Sequence, residues 1–163
     1  MTLTAHETLT TLGAALRTAL DGPFAERRAR GRAELPTENL LRDPEQTMDE
    51  ARDWVLTRLR ELQAAGFGAA GVPVSSTDHG SPEDAVMAFE MLAHGDLSVL
   101  IKSGVQFGLF GGAIANLGTA WHHDTYLPRV TRLELLGCFA MTELGHGSDV
   151  ASLETTITYD PAT

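Results

Sequence analysis

The sequence is poor in cysteine, in lysine and in positive charge. Cys138 is its single cysteine, which rules out an internal disulfide framework and is typical of a reducing compartment. Lys102 is its single lysine, and the other basic residues are arginines. The 12 basic residues are outnumbered by 22 acidic ones, so the formal net charge is −10. This balance argues against a nucleic acid or an anionic membrane as a partner, because both are bound mainly by Lys and Arg.

The first residues carry no pattern of a targeting segment. No basic stretch precedes the apolar residues, and Thr and Glu interrupt them, so we expect neither a secretory signal nor an Arg-rich transit peptide. The 163 residues are 43% hydrophobic and 21% charged, which is the composition of a globular protein. Together these features favour a cytoplasmic protein.

Apolar spacing and capping residues predict the helices of the first half. Residues 3–20 repeat leucine at helical spacing. Thr47, followed three residues later by a glutamate, has the sequence of a capping box, and Ser81 precedes a proline and two acids as an N-cap. The mixed stretch 24–46 predicts a linker, and the Gly-, Pro- and Ser-rich stretch 66–81 predicts a long loop.

The stretch 97–118 is apolar and rich in small residues. Gly104, Gly108 and Gly112 recur every four residues, and Lys102 is its one formal charge. One interpretation is a membrane helix that dimerises through its glycines, although the polar residues of the run make burial in lipid costly. The second is a buried central helix whose glycines permit close packing. The third is a buried helix whose small side chains leave room for a ligand cavity.

Towards the C-terminus the pattern changes from helix to strand. Residues 119–128 predict a short surface helix that Pro128 ends. Residues 137–142 and 153–159 predict two strands, the second from its β-branched alternation. Helices followed by strands are typical of an α+β fold or of two domains. Because two strands are marginal alone, we expect the 163 residues to be the N-terminal part of a longer protein.

The turn between the two predicted strands, TELGHGSD at 142–149, is the strongest candidate site. Thr142 and Ser148 supply hydroxyl groups, and Gly145 and Gly147 let backbone N–H groups approach a ligand. Such a turn can form an anion-binding nest for a phosphate or pyrophosphate, and it can equally be a plain Gly-rich β-turn. It is neither a P-loop nor a GxSxG elbow, because the Lys and the second Gly of those motifs are missing.

Other titratable residues give weaker candidates. Glu143 and His146 form a possible acid/base pair without a third, orienting group. His122 and His123 are adjacent, about 100° apart on a helix, and do not readily share an ion. We therefore predict no metal site. Cys138 stands among apolar neighbours, which predicts a buried and inert thiol.

Residues 137–160, GCFAMTELGHGSDVASLETTITYD, closely resemble the signature of the acyl-CoA oxidases, which are flavoenzymes of the acyl-CoA dehydrogenase superfamily. The dehydrogenases carry a version like CVTEPGAGSD, with proline and alanine where Leu144 and His146 stand here. The LETTITYD that follows is similar to the oxidase branch. The resemblance continues upstream through residues 110–128 and 71–96 and weakens towards the N-terminus.

The resemblance implies a mainly α fold. Residues 1–133 would be the N-terminal helical domain of the acyl-CoA dehydrogenase/oxidase fold, and residues 134–163 would be the first strands of its middle β-domain. The family also implies a homo-oligomer at full length.

The same resemblance implies non-covalently bound FAD. Thr142 would donate a hydrogen bond to the edge of the isoalloxazine ring, and Ser148 would lie near the pyrophosphate and also touch the acyl-CoA substrate. Gln106 is a second candidate for substrate contact, and residues 104–112 would line the acyl-chain cavity. The implied cofactor contacts are Phe139, Met141, Thr142, Gly147 and Ser148.

The implied activity is the α,β-oxidation of acyl-CoA thioesters in fatty-acid β-oxidation. In this family a glutamate removes the α-proton while the β-hydrogen leaves as a hydride to the flavin. That glutamate belongs to the C-terminal domain, so no residue of this chain is a candidate base and we expect the chain alone to be inactive. Electrons would pass to O₂ in an oxidase. The alternatives are a dehydrogenase, which uses an electron-transfer protein, and a non-catalytic helical interaction module.

Overall fold

The computed structural model describes residues 5–35, 41–67 and 69–162. This part of the chain is mainly helical, as the resemblance implies. Two 3₁₀ turns, Gly22–Phe24 and Val150–Ser152, and one π-helix, Gly104–Gly111, accompany the α-helices. The α-helices are α1 (Ala5–Asp21), α2 (Ala25–Glu34), α3 (Met48–Ala64), α4 (Pro82–Leu92), α5 (Leu97–Ser103), α6 (Gly112–Leu117) and α7 (Ala120–Thr131).

Helix α2 lies where the sequence predicts a linker, so that prediction is wrong for residues 25–34. The helix is strongly polar and is held by ion pairs across the fold. Arg28 Nη2 lies 2.8 Å from Glu90 Oε2 of α4, and Arg32 pairs with Asp21 at the end of α1. Gly31 allows close approach to α4, because a Cβ there would lie 2.5 Å from Met91 Cγ. The middle of the predicted linker, residues 36–40, lies outside the described residues.

The predicted caps of α3 and α4 are confirmed. Thr47 Oγ1 accepts from the backbone N–H of Glu50, and the carboxylate of Glu50 accepts from the N–H of Thr47 at 2.8 Å, which completes the capping box. Ser81 Oγ accepts from the N–H of Asp84 at 3.2 Å, with proline at the first helical position. Both helices therefore begin where their sequence signals place them.

Two clusters of buried apolar side chains form the core. The first joins the end of α2 to α3, α4 and α5 and includes Leu62, Met91, Leu92 and Val99. The second joins α3, the π-helix and α7. Its buried members are Leu59, Phe107, Val130 and Leu133. The second cluster thus fixes the π-helix against the end of α7.

Helices α5 and α6 and the π-helix follow one another without a break from Leu97 to Leu117. Within the described part of the chain, this is the one helical run long and apolar enough to cross a membrane, and 33% of its 18-residue apolar stretch is buried in the fold. Core helices of soluble proteins can have the same length and composition. Here Val99, Ser103 and Phe107 are buried in the fold.

The region after Leu117 differs from the sequence prediction in two ways. Helix α7 continues through Pro128 to Thr131, so the prediction that Pro128 ends it is wrong. Leu127 and Val130, on either side of the proline, are fully buried and hold the helix. The predicted strands 137–142 and 153–159 are also corrected, because neither forms in the described residues, where the single bridge joins Glu143 to Gly147. These segments have no neighbouring strands to pair with, and isolated strands are not stable.

Candidate functional site

An apolar groove runs between α4 and the π-helix. Its volume is about 710 Å³, and the π-helix contributes Gly104, Val105, Gly108 and Leu109 to its lining. Across the groove stands Phe89 of α4. A Cβ on Gly108 would meet no atom within 4 Å, so the missing side chain there is open space. Open space therefore lies beside Gly108, which the third interpretation of the stretch 97–118 requires, whereas Gly104 packs closely on Phe89, as the second interpretation expects.

The chain leaves α7 through a strained turn that directs it back to the π-helix. Leu133 has a φ of 57°, a left-handed conformation that is costly for a bulky side chain. The N–H groups of Glu134 and Leu135 both donate to the carbonyl oxygen of Arg129, at 2.9 and 3.1 Å. Burial of the Leu133 side chain in the second core cluster offsets the strain.

Gln106 binds the backbone of this returning segment. Its Nε2 donates to the carbonyl oxygens of Val130 and Leu135, at 3.2 and 2.8 Å. Its Oε1 accepts from the N–H of Gly137 at 3.0 Å. The residue is only 1% exposed. The predicted contact of Gln106 with substrate stays a prediction, and in this conformation both Nε2 hydrogens are already used within the protein.

The 142–149 turn closes through a short backbone bridge. The N–H of Gly147 donates to the carbonyl of Glu143 at 2.8 Å, and the reverse bond measures 3.1 Å. Gly147 has a φ of 63°, which glycine adopts without strain. Among the described residues no acceptor receives the backbone N–H groups of Leu144, Gly145, His146 and Ser148. A turn with several free N–H groups has the chemistry of an anion-binding nest.

The carboxylate of Glu143 holds this turn against the segment that follows. It accepts from the backbone N–H of Glu154 at 2.8 Å and of Thr155 at 2.9 Å, and also from the Thr155 hydroxyl and from His146. The backbone bond from Glu154, followed by the bonds from Thr155 and His146, lowers the pKa of Glu143 to about 2. We call these hydrogen bonds of the Glu143 carboxylate the Glu143 clasp. No sequence signal identifies it, because Glu154 and Thr155 lie 11 and 12 residues away from Glu143.

His146 joins the same cluster. Its Nε2 lies 2.6 Å from Glu143 Oε2, and its Nδ1 is buried with no partner among the described residues. The two residues predicted as an acid/base pair are therefore in contact. A carboxyl group with a pKa near 2 is a weak base at neutral pH, so the contact serves to order the turn rather than to transfer protons.

The residues predicted to contact FAD line the exposed side of the same segment. Phe139 is 43% exposed, Thr142 and Ser148 are exposed, and Met141 is half-buried. These groups and the free N–H groups of the turn fit a ligand with a flat ring and a pyrophosphate. Cys138 is exposed rather than buried, which corrects the prediction of a buried thiol, because no sheet forms over it among the described residues.

No metal site is evident in the part of the chain that the structure describes, since no three His, Cys, Asp or Glu side chains cluster there. His122 lies instead at the start of α7. Its Nδ1 bonds to the N–H of Thr119 at 3.1 Å and to the Thr119 hydroxyl at 2.7 Å. Asp124 of the same helix accepts two hydrogen bonds from Ser76 in the long loop.

Known relatives of the chain are acyl-CoA oxidases. The chain is 49% identical over 80 residues to "Acyl-coenzyme A oxidase 2, peroxisomal" of Arabidopsis thaliana, which covers 49% of this chain and 12% of the relative. It is 38% identical over 121 residues to "Acyl-coenzyme A oxidase 3, peroxisomal" of the same plant, 74% of this chain and 18% of the relative. "Acyl-coenzyme A oxidase 2" of Yarrowia lipolytica is 34% identical over 129 residues, 77% of this chain and 18% of the relative.

These relatives correct one prediction. Two of the three carry a peroxisomal location in their names, so the predicted cytoplasmic location is wrong and the comparison points to the peroxisome. The chain spans less than a fifth of the length of these relatives.

The family model named "Acyl-CoA dehydrogenase, N-terminal domain" matches residues 26–134, which is more than half of the chain. No solved structure matches it. The matched range contains nearly all of α2, the whole of α3 to α7 and the π-helix. It therefore includes the groove and Gln106, which binds Gly137 at the start of the segment 137–149 that carries the turn. The chain therefore belongs to the acyl-CoA dehydrogenase family, of which it contains the N-terminal domain.

Proposed function

We propose that this chain supplies the acyl groove and the first part of the flavin site of an acyl-CoA oxidase. The reaction of the whole enzyme is the α,β-oxidation of acyl-CoA thioesters, with electrons passed to O₂. The observation that carries the proposal is the 142–149 turn, where free backbone N–H groups and the exposed Thr142 and Ser148 come shortly after the exposed Phe139 along the chain.

The groove supports the acyl-chain part of the proposal. Its volume of about 710 Å³ lies within the usual range for ligand pockets, roughly 300–1,000 Å³. Its lining by Val105, Leu109 and Phe89 is apolar, and the glycines at 104 and 108 keep it open. An apolar chain placed there would be removed from water, which is the main source of its binding free energy.

The residues of the 142–149 turn hold the cofactor in this proposal. The N–H groups around Gly145 and Gly147 would neutralise the charge of a pyrophosphate, and Thr142 would orient the ring by a hydrogen bond. When bound, FAD would accept the β-hydrogen as a hydride. The chain's own task is to place the acyl chain and the ring so that the reacting atoms are aligned.

The oxidase reading is preferred to that of a dehydrogenase because the curated relatives named above are all oxidases. We also propose acyl-CoA as the substrate and homo-oligomers at full length, both from the family. The 163-residue chain by itself should not oxidise thioesters, since the resemblance assigns the catalytic glutamate to the family's C-terminal domain, whereas the family model matched here is that of the N-terminal domain. Glu143 is fully occupied by its clasp.

A second candidate function, an interaction module without flavin, is favoured by exposed apolar side chains in the 142–149 turn and after it. Leu144, Ile157 and Tyr159 are each more than 85% exposed. Further strands of a β-domain would cover the same side chains, so their exposure fits both candidates. Binding of FAD separates the two.

The test uses the purified chain, incubated with FAD and desalted, with the flavin absorbance read afterwards. The variant Gly147→Ala strains the turn at its positive φ. The control Gly13→Ala adds a methyl group in open space on α1. The proposal predicts that the natural chain and the control retain flavin and that Gly147→Ala retains much less. Absence of flavin from the natural chain, or equal retention by both variants, contradicts the proposal.

A further inference from the structure

Gln106 is the one polar residue among the largest fully buried side chains of the described core. It lies in the π-helix, a rare conformation that is frequent at functional sites. Burial of a primary amide is costly unless its donors and acceptor are satisfied. All three of its bonds go to backbone groups, which run from Val130 in the last turn of α7 through Leu135 to Gly137.

The same π-helix fixes this segment at a second point. A Cβ on Gly137 would lie 2.0 Å from Phe110 Cγ, so the backbone of Gly137 rests directly on the ring of Phe110. Gly137 is therefore in contact with two residues of the π-helix: it donates a hydrogen bond to Gln106 and packs on the ring of Phe110. Two residues further along stands Phe139, the first residue proposed to contact the flavin.

The opposite side of the π-helix faces the groove through Gly104, Val105 and Gly108. One rigid element thus lines the proposed acyl site and carries the anchor of the proposed flavin segment. A hydrogen-bonded amide has a definite direction as well as a distance, which an apolar contact lacks. Gln106 consequently sets the position of Gly137 relative to the groove more sharply than packing alone.

We propose that Gln106 is a positioning residue that fixes the flavin-binding segment relative to the acyl groove through its bond to Gly137. This inference rests on the proposed function of both sites. Gln106 touches neither ligand in this role and acts through the backbone of the segment. Its loss should leave the helices folded while the segment after Gly137 moves and the flavin is held less tightly.

The experiment compares the natural chain with Gln106→Met and with a control, Asn116→Leu. Methionine fills a similar space but neither donates nor strongly accepts hydrogen bonds. Asn116 is an amide of the same helical run whose Nδ2 donates to the Gly112 carbonyl of its own turn, at 2.7 Å. Hydrogen exchange of individual amides is followed by NMR, and the affinity for FAD by quenching of flavin fluorescence.

We expect the Gly137 amide to exchange at least about tenfold faster in Gln106→Met and FAD to bind about tenfold more weakly. Exchange in α3 should stay as in the natural chain, and Asn116→Leu should change neither quantity. Unchanged exchange at Gly137, or α3 amides loosened as much as Gly137, overturns the inference. If the natural chain binds no FAD, the proposed function fails, while the exchange at Gly137 still decides the role of Gln106.

A second variant covers the case in which Gln106→Met does not fold. In Gln106→Glu the buried carboxyl group is neutral at about pH 5 and keeps one donor and one acceptor. A carboxyl oxygen accepts from the Gly137 N–H in either protonation state, so the Gly137 amide should keep most of the protection that it has in the natural chain. A Gly137 amide that exchanges as fast as an unprotected amide in this folded variant overturns the inference.

Discussion

The ring of Phe110 occupies the space that a side chain at residue 137 would need. A Cβ built on Gly137 would lie 2.0 Å from Phe110 Cγ and 2.1 Å from Cδ1. Rotation of the ring about χ2 leaves Cγ in place, so the overlap is cleared only if the whole ring or the backbone moves. The contact joins the π-helix to the segment that carries the 142–149 turn, and it makes glycine a requirement at this position.

Replacement of Gly137 by alanine should therefore destabilise the fold by about 1–3 kcal/mol, because overpacking forces Phe110 or the backbone to shift. The measurement is the free energy of unfolding from urea titration. Gly145→Ala is the matched control, since its Cβ would meet no atom within 4 Å, and it should change stability by less than about 0.5 kcal/mol. Equal stability of the two variants would show that Phe110 does not pack on Gly137.

The stability that the Glu143 clasp contributes should fall as the pH is lowered. Its folded pKa of about 2 lies below the ordinary value of 4.5, so the unfolded chain takes up the proton at the higher pH. The stabilisation is present in full above pH 4.5 and is lost as the pH falls towards about 2. Titration of the Glu143 carboxyl carbon by NMR measures this value directly, and a midpoint near 4.5 would contradict the clasp.

Glu143→Gln tests the same clasp at neutral pH. Glutamine keeps one acceptor but loses the charge, so the amides of Glu154 and Thr155 should exchange faster. The control is Glu83→Gln, which changes a first-turn acid of α4 far from the turn. An unchanged exchange rate at residues 154 and 155 would mean that the carboxylate does not order this segment.

The groove should respond to side-chain volume at Gly108. Gly108→Leu places an isobutyl group in open space, so the chain should fold normally while a fluorescent fatty acid binds at least about fivefold more weakly. Gly104→Ala makes a different prediction, because its Cβ would lie 2.9 Å from Phe89 Cε2 and should displace that ring. Undiminished binding by Gly108→Leu would place the apolar ligand elsewhere.

The long loop before α4 should be held in place by its hydrogen bonds to Asp124. The carboxylate accepts from the N–H of Ser76 at 2.8 Å and from its hydroxyl at 3.1 Å, which also lowers the pKa of Asp124. Asp124→Ala should make the loop about five- to tenfold more sensitive to limited proteolysis, because local opening becomes easier. Asp53→Ala, an exposed change on α3, is the control and should leave cleavage of the loop unchanged.

The sequence predicted those parts of the fold that depend on interactions between residues close to each other in the chain. Thr47 and Ser81 each bind a backbone N–H group three residues further along the chain, so their caps can be recognised from a few neighbouring residues. For the 97–118 run the sequence left three interpretations open, and only the structure shows that open space lies beside Gly108. The resemblance of residues 137–160 identified the family, which the model match to residues 26–134 supports independently.

The features that the sequence did not predict depend on distant partners. Helix α2 is held by Arg28 and Glu90, which are 62 residues apart. Pro128 stays within α7 because Leu127 and Val130 are buried against other elements. The residues 153–159 have strand composition, yet a strand needs neighbours that residues 5–35, 41–67 and 69–162 do not provide.

The most direct test of the flavin proposal is a titration of the ¹⁵N-labelled chain with FAD, followed by NMR. If the 142–149 turn holds the pyrophosphate, the amide signals of Leu144, Gly145, His146 and Ser148 shift and saturate together, while those of α3 stay in place. Shifts confined to other residues, or no saturable shift in the turn, would contradict the proposal that these N–H groups form a flavin site.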